Sequence, residues 1–105
     1  MAFSFITICD GISIPQTQSK IYRAPNQTNI TYALCSNNAK IPIQFSVLVK
    51  TNGNLTPIIP FRQVPAGGTD MCNEIKGLLL NQNDELYIQS KQAGLYFRAS
   101  GFSLS

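Results

Sequence analysis

The chain has 105 residues, and its length predicts one domain over residues 1–105. Charged residues make up only 12% of the sequence, about half the usual share, and the net charge is +3. The basic residues are scattered rather than clustered, which argues against nucleic-acid binding. A polar but weakly charged surface suits a protein that works beside partner chains.

The N-terminal segment is apolar over residues 3–8, where Phe, Ile and Thr predict a first strand. Asp10-Gly11 is a turn signal, and residues 16–19 form a polar link. Residues 1–19 are therefore either the first strand of the domain or an arm that adds to a neighbour's sheet, and we favour the first interpretation. The segment lacks a basic start and is too short to span a membrane, so we expect neither a signal peptide nor a membrane anchor.

Residues 28–35 alternate as a strand does, and the alternation places Ile30, Tyr32 and Leu34 on one face. The strongest strand pattern covers residues 41–50. It predicts one core-facing row of apolar side chains: Ile41, Ile43, Phe45, Val47 and Val49.

Residues 51–54 contain an Asn-Gly pair between two extended segments, which predicts a hairpin turn. Pro57 and Pro60 then exclude residues 55–64 from the centre of a sheet, because proline cannot donate to the strand ladder. We expect this segment to be an edge strand or an irregular connection. Residues 65–68 form a turn.

The last third of the chain begins ambiguously, since residues 69–80 fit either a strand that ends at 78–80 or one helical turn. A polar turn at 81–84 precedes a strand at 85–90. The final strand covers 95–104, with Gly101 at a bend or bulge. Together these elements give about seven or eight strands and predict an all-β, antiparallel two-sheet β-sandwich, either jelly-roll or immunoglobulin-like.

Catalytic chemistry has little support in the composition. Histidine is absent, which removes the commonest general base and metal ligand. Asp84 and Glu85 are adjacent, so on a strand their side chains point to opposite faces. We therefore predict no enzyme activity and no catalytic, cofactor-binding or metal-binding residues. The odd count of three cysteines fits neither a disulfide framework nor a zinc site, and we interpret them as reduced thiols in a chain that folds in a cytoplasm.

The order of segments after residue 20 carries a resemblance. A Tyr-containing strand ends in Ala-Pro at residues 21–25, and a Thr-rich strand follows at 28–37. Val-Pro-Ala-Gly-Gly stands at 64–68, and a Gly-Leu segment leads through an Asn-x-Asn-Asp turn into a strand at 77–88. This order resembles the small β-sandwich virion structural proteins of tailed bacteriophages, which decorate or cement the head or form part of the neck and tail.

The resemblance implies a non-enzymatic cement or decoration subunit that stabilises the phage capsid, located in the virion. It also implies capsid or tail subunits as partners and a homo-oligomer, with a trimer favoured. A neck or tail subunit is the first alternative. The second is a carbohydrate- or cell-surface-binding module, for which Tyr22, Tyr87 and Tyr96 are the candidate ligand contacts.

Candidate contacts with partner chains come from two apolar segments that need cover. The first is the N-terminal segment, with Phe3, Phe5 and Thr7. The second is the proline-rich segment, with Leu55, Ile58 and Ile59. Both segments could equally lie in the core of the chain itself, and the sequence leaves that choice open.

Overall fold

A computed structural model describes residues 3–104 of the chain. The described residues form nine strands: β1 (Phe3–Ser13), β2 (Ser19–Arg23), β3 (Thr28–Asn37), β4 (Ile43–Thr51), β5 (Asn54–Val64), β6 (Thr69–Asp70), β7 (Leu79–Leu80), β8 (Glu85–Ser90) and β9 (Leu95–Leu104). They build two antiparallel sheets stacked as a sandwich, which confirms the predicted fold class.

The strand order distinguishes between the two sandwich types that the sequence left open. One sheet has the order β1-β9-β3-β6, with β7 also paired to β3, and the other has the order β2-β8-β4-β5. The first and last strands are neighbours, and the chain changes sheet at every connection except β4–β5 and β6–β7. In an immunoglobulin sandwich the first two strands would pair within one sheet. The arrangement is instead that of a jelly roll with one additional short strand, β7.

The core lies between the inner faces of the two sheets. As predicted, β4 contributes Ile43, Phe45, Val47 and Val49, all of them buried. Ile41 was predicted to join this row, but it precedes the strand and is exposed. Phe97 of β9 and Ile30 of β3 face β4 from the other sheet and are also fully buried.

The face prediction for β3 is wrong beyond its first residues. The pairing with β9 shifts between Ile30 and Tyr32, because one extra residue on β3 forms a β-bulge. A shift of one residue exchanges the two faces of a strand. Ile30 therefore points into the core, whereas Tyr32 points outward and Ala33 and Cys35 are buried in place of Leu34.

The predicted turn at Asp10-Gly11 is also wrong, because β1 continues through it to Ser13. The pairing of β1 with β9 shifts twice, between Thr7 and Cys9 and between Cys9 and Ile12. Gly11 has φ +69°, a conformation that glycine adopts freely both in turns and in bulges. β1 pairs with β9 of the same chain and buries Ile8 and Cys9, so it is a strand of its own sandwich. Residues 1 and 2 of the predicted arm lie outside the described residues.

The hairpin and edge predictions for the middle of the chain are correct. Asn52 and Gly53 have φ values of 51° and 82°, as a tight two-residue hairpin turn requires. β5 then lies at the edge of its sheet, and its pairing with β4 is irregular in the region of Pro57 and Pro60.

Residues 69–80 combine two short strands with turns rather than a regular helix. Arg62 of β5 holds this segment: its Nε lies 2.8 Å from Asp70 Oδ2, and its guanidinium also pairs with Glu74. The hydrogen bond from Arg62 lowers the pKa of the Glu74 carboxyl. The segment also brings Cys72 into the core.

Candidate functional site on the outer face of one sheet

Aromatic side chains are concentrated on the outer face of the β1-β9-β3 sheet. We call this group the aromatic face, and it consists of Phe3, Phe5, Tyr32, Tyr96 and Phe102. Their exposed fractions range from 74% for Phe3 to 37% for Tyr32. Large exposed aromatic side chains on one face are unusual for a chain with a fully formed core of its own.

Strand register explains how residues far apart in the sequence meet on this face. Phe5 pairs directly with Phe102 across β1 and β9, and the two rings contact edge to face with 5.6 Å between centroids. One step along the sheet, Ser100 pairs with Thr7 on one side and with Tyr32 on the other. The β3 bulge is what turns Tyr32 outward into this row.

A shallow depression of about 240 Å³ lies beside the rings, and Phe5 and Tyr32 form part of its lining. Its charged lining is an ion pair in which Arg98 Nη2 lies 2.8 Å from Asp10 Oδ1. Both side chains are largely exposed, so the pair adds little stability and both groups remain accessible to a ligand. The depression therefore combines ring faces with hydrogen-bond donors and acceptors.

The two predicted contact segments do not come together. Phe3, Phe5 and Thr7 lie exposed on β1, whereas Leu55, Ile58 and Ile59 belong to β5 of the other sheet. In the second segment Leu55 is exposed and Ile58 is half-buried. Ile59 is only 1% exposed and forms part of the core, so it is not available to a partner in the folded chain.

The tyrosines proposed as ligand contacts are also separated. Tyr96 belongs to the aromatic face, but Tyr22 and Tyr87 lie on the β2-β8 side of the sandwich. The Tyr87 hydroxyl donates a hydrogen bond to Glu85 Oε1 at 3.0 Å, and this bond raises the pKa of the phenol. Tyr22 Oη lies 3.4 Å from Thr28 Oγ1, and its ring packs against the core.

Tyr32 and Phe102 are site residues that the sequence patterns did not indicate. The position of Phe102 could have been predicted, because simple alternation along β9 puts it on the same face as Tyr96 and Arg98. The outward orientation of Tyr32 could not, because it depends on a bulge that the alternation pattern does not reveal.

Two other depressions are less suited to a partner. One, of about 310 Å³, lies at the β4–β5 hairpin and is lined only by polar and charged residues and a glycine, including Arg23, Lys50 and Glu85. The other, of about 200 Å³, lies on the outer face of β4, β5 and β8 beside Phe61. There Lys91 Nζ lies 4.1 Å from the centre of the Phe61 ring, so a cation already occupies part of the space over this ring.

The three thiols are buried structural groups. Burial raises the pKa of Cys9 to about 11 and that of Cys72 to about 12, and it raises the pKa of Cys35 as well. Thiolates are the reactive form of cysteine, so these side chains are poor nucleophiles near neutral pH. Within residues 3–104, no group of three or more Cys, Asp or Glu residues is placed to hold a metal ion.

The part of the chain that the structure describes contains no helix long and apolar enough to cross a membrane. Comparison of the chain with protein-family models, with curated proteins and with solved structures finds no match.

Proposed function

We propose that this chain is a non-enzymatic virion structural protein that binds and stabilises a phage capsid as a cement or decoration subunit. The observation that carries the proposal is the aromatic face. Uncovered rings that adjoin across neighbouring strands mark interaction surfaces, and aromatic residues are enriched at the buried centres of protein interfaces. The partner is a capsid subunit that covers these rings.

The mode of binding follows from the arrangement of the face. Phe5 and Phe102 already contact each other, so a partner can bury both rings with little further loss of side-chain freedom. Arg98 and Asp10 lie beside them, where rim charges set orientation more than affinity. Burial of the rings is therefore the main source of binding energy.

Two further observations support the proposal. The segment order after residue 20 resembles that of small phage virion proteins. The jelly-roll strand order is also shared by viral capsid domains, which is a likeness of architecture alone. Both are consistent with a weakly charged chain that functions inside an assembly.

Substitution of Phe102 by Ser tests the aromatic face without altering the edge of the sheet. We expect Phe102→Ser to weaken binding to phage heads assembled without this chain by about tenfold or more, as loss of a central interface ring does. Co-sedimentation with purified heads measures the effect. Phe61→Ser is the matched control, because Phe61 is 40% exposed, Phe102 is 41% exposed, and Phe61 lies on the other sheet.

Two results would contradict the capsid proposal, and a third would contradict its contact surface. Wild-type chain that binds neither heads nor tails would overturn it, and binding to tails alone would favour the neck or tail alternative. Equal binding by the two variants would remove the aromatic face as the contact. The native mass of the purified chain tests the predicted trimer separately.

A carbohydrate-binding module is the second candidate, and the depression beside Phe5 and Tyr32 favours it. Ring faces stack on sugars while charged and hydroxyl groups bind their hydroxyls, and lectin domains share the jelly-roll architecture. If this candidate is correct, a glycan array will show selective binding that Tyr32→Ala abolishes and Tyr87→Ala leaves intact. An array without any bound glycan would argue against it.

A further inference from the structure

The outer edge of β1 is regularly paired on one side and has no strand of residues 3–104 on the other. From Phe3 to Thr7 the strand pairs with β9 in unbroken register, from Leu104 to Ser100. β1 is the terminal strand of its sheet, and no other strand of the described residues pairs with its second side. We call this five-residue segment, residues 3–7, the open edge.

The hydrogen bonds of β9 show which backbone groups of the open edge are free. Leu95 C=O accepts from Ile14 N–H in the direction of β1, whereas Leu104 N–H donates to Gln27 C=O in the direction of β3. The bulges place their extra residues on β1 and β3, so β9 itself alternates without interruption. Its odd-numbered residues direct their backbone N–H and C=O groups toward β1, and its even-numbered residues direct theirs toward β3.

The pairing register then determines which residues of β1 direct their backbone groups toward β9. Ser4 and Ile6 pair with Ser103 and Gly101, and they direct their backbone groups toward β9. Phe3, Phe5 and Thr7 therefore direct their N–H and C=O groups away from the sheet. Each of these residues offers one donor and one acceptor in the spacing of an antiparallel ladder.

The remaining edges of the two sheets are protected against such pairing. β5 carries Pro57 and Pro60, and β2 carries Lys20 and Arg23. β6 and β7 are only two residues long. Prolines, charges and short length are the usual devices that prevent edge-to-edge association. The open edge has none of them, because Phe-Ser-Phe-Ile-Thr is uncharged and free of proline.

We infer that the open edge pairs antiparallel with the open edge of a second copy of this chain. In the register that uses all five residues, Phe5 lies opposite the partner's Phe5 and Phe3 lies opposite the partner's Thr7. A two-fold axis then satisfies every outward donor and acceptor, and no like charges meet. The two sheets join side by side, so the two aromatic faces form one continuous surface.

A second copy fits this edge because the segment is complementary to itself. The geometry gives a dimer, and the trimer predicted from the resemblance would need a different contact. A pairing of five residues buries little surface, so association is weak and depends on concentration. Pairing of the open edge does not depend on what covers the aromatic face.

Amide exchange of the intact protein, followed by NMR over a concentration series, provides the test. We expect the amides of Phe5 and Thr7 to become protected as concentration rises, while those of Ser4 and Ile6 are protected throughout. Sedimentation equilibrium should show the average mass rising from 11.5 kDa toward twice that value.

A matched pair of variants at one position adds a second test. Thr7→Pro removes an outward N–H that β9 does not use, so the fold is retained and dimerisation weakens about tenfold or more. Thr7→Val keeps the N–H and should dimerise as the wild type does. If Thr7→Pro does not fold, the exchange pattern of the wild-type protein still decides the question.

The results that would contradict edge pairing differ from those that would contradict capsid binding. A monomer with unprotected Phe5 and Thr7 amides at every concentration would overturn the inference, as would an oligomer that Thr7→Pro leaves unchanged. Protection of these amides only when heads are added would assign the edge to a capsid strand instead. Loss of the dimer with retained head binding would leave the capsid proposal standing.

Discussion

Gly101→Ala is expected to destabilise the protein by about 3 kcal/mol, at the upper end of what overpacking costs. A Cβ at this position would lie 2.1 Å from the carbonyl oxygen of Asn29, far inside van der Waals contact. The obstacle is backbone of the neighbouring strand, and β9 is also held by β1 on its other side. Neither strand can move away without losing hydrogen bonds.

Gly53→Ala provides the control for this prediction. Gly53 has φ +82°, but no atom beyond its two chain neighbours lies within 4 Å of the position that an alanine Cβ would occupy. Its substitution therefore costs only the backbone strain of about 1–2 kcal/mol. Urea denaturation followed by circular dichroism measures both variants. A Gly101→Ala protein as stable as Gly53→Ala would show that β3 and β9 do not approach as closely as described.

Phe45→Ala is expected to cost about 3–5 kcal/mol, because it removes a large side chain and leaves a cavity. Phe45 is fully buried on β4 and belongs to the hydrophobic core. Domains have total stabilities of about 5–15 kcal/mol, so the variant loses a large fraction of the free energy of unfolding.

Phe61→Ala is the matched control for Phe45, since the same atoms are removed from a ring that is 40% exposed. It should cost about 1 kcal/mol or less, since surface substitutions have small effects and the Lys91 contact is partly solvated. The midpoints of thermal unfolding distinguish the two variants. Equal losses of stability would mean that Phe45 does not belong to the core.

The strands that sequence predicted well are those in which alternation is unbroken. β4 shows it over Ile43 to Val49, and the predicted bounds of β8 and β9 agree with the structure. The edge position of β5 was predictable from its prolines, because a residue without a backbone N–H disrupts the hydrogen-bond ladder of a central strand in any sandwich. Errors occurred at bulges: Asp10-Gly11 satisfies the same φ requirement in a turn and in a bulge, so the dipeptide alone does not distinguish them.

The candidate site was predictable only in part for a related reason. Phe3 and Phe5 were identified from the apolar character of a single segment. Their neighbours Phe102 and Tyr32 come from strands about 97 and 27 residues away, and only the pairing register brings them together. Local patterns give the faces of each strand, but they do not give the alignment between strands.

The protected edges at β2, β5, β6 and β7 limit how far self-association can proceed. Among the strands of residues 3–104, β1 alone has an edge without these devices, so each pairing event uses the one described site through which edge-to-edge growth could continue. Fibrils need at least two such edges on every molecule. The fold therefore tolerates an uncharged, aromatic terminal strand without the risk of open-ended polymerisation, and concentrated solutions of the intact chain should remain free of amyloid.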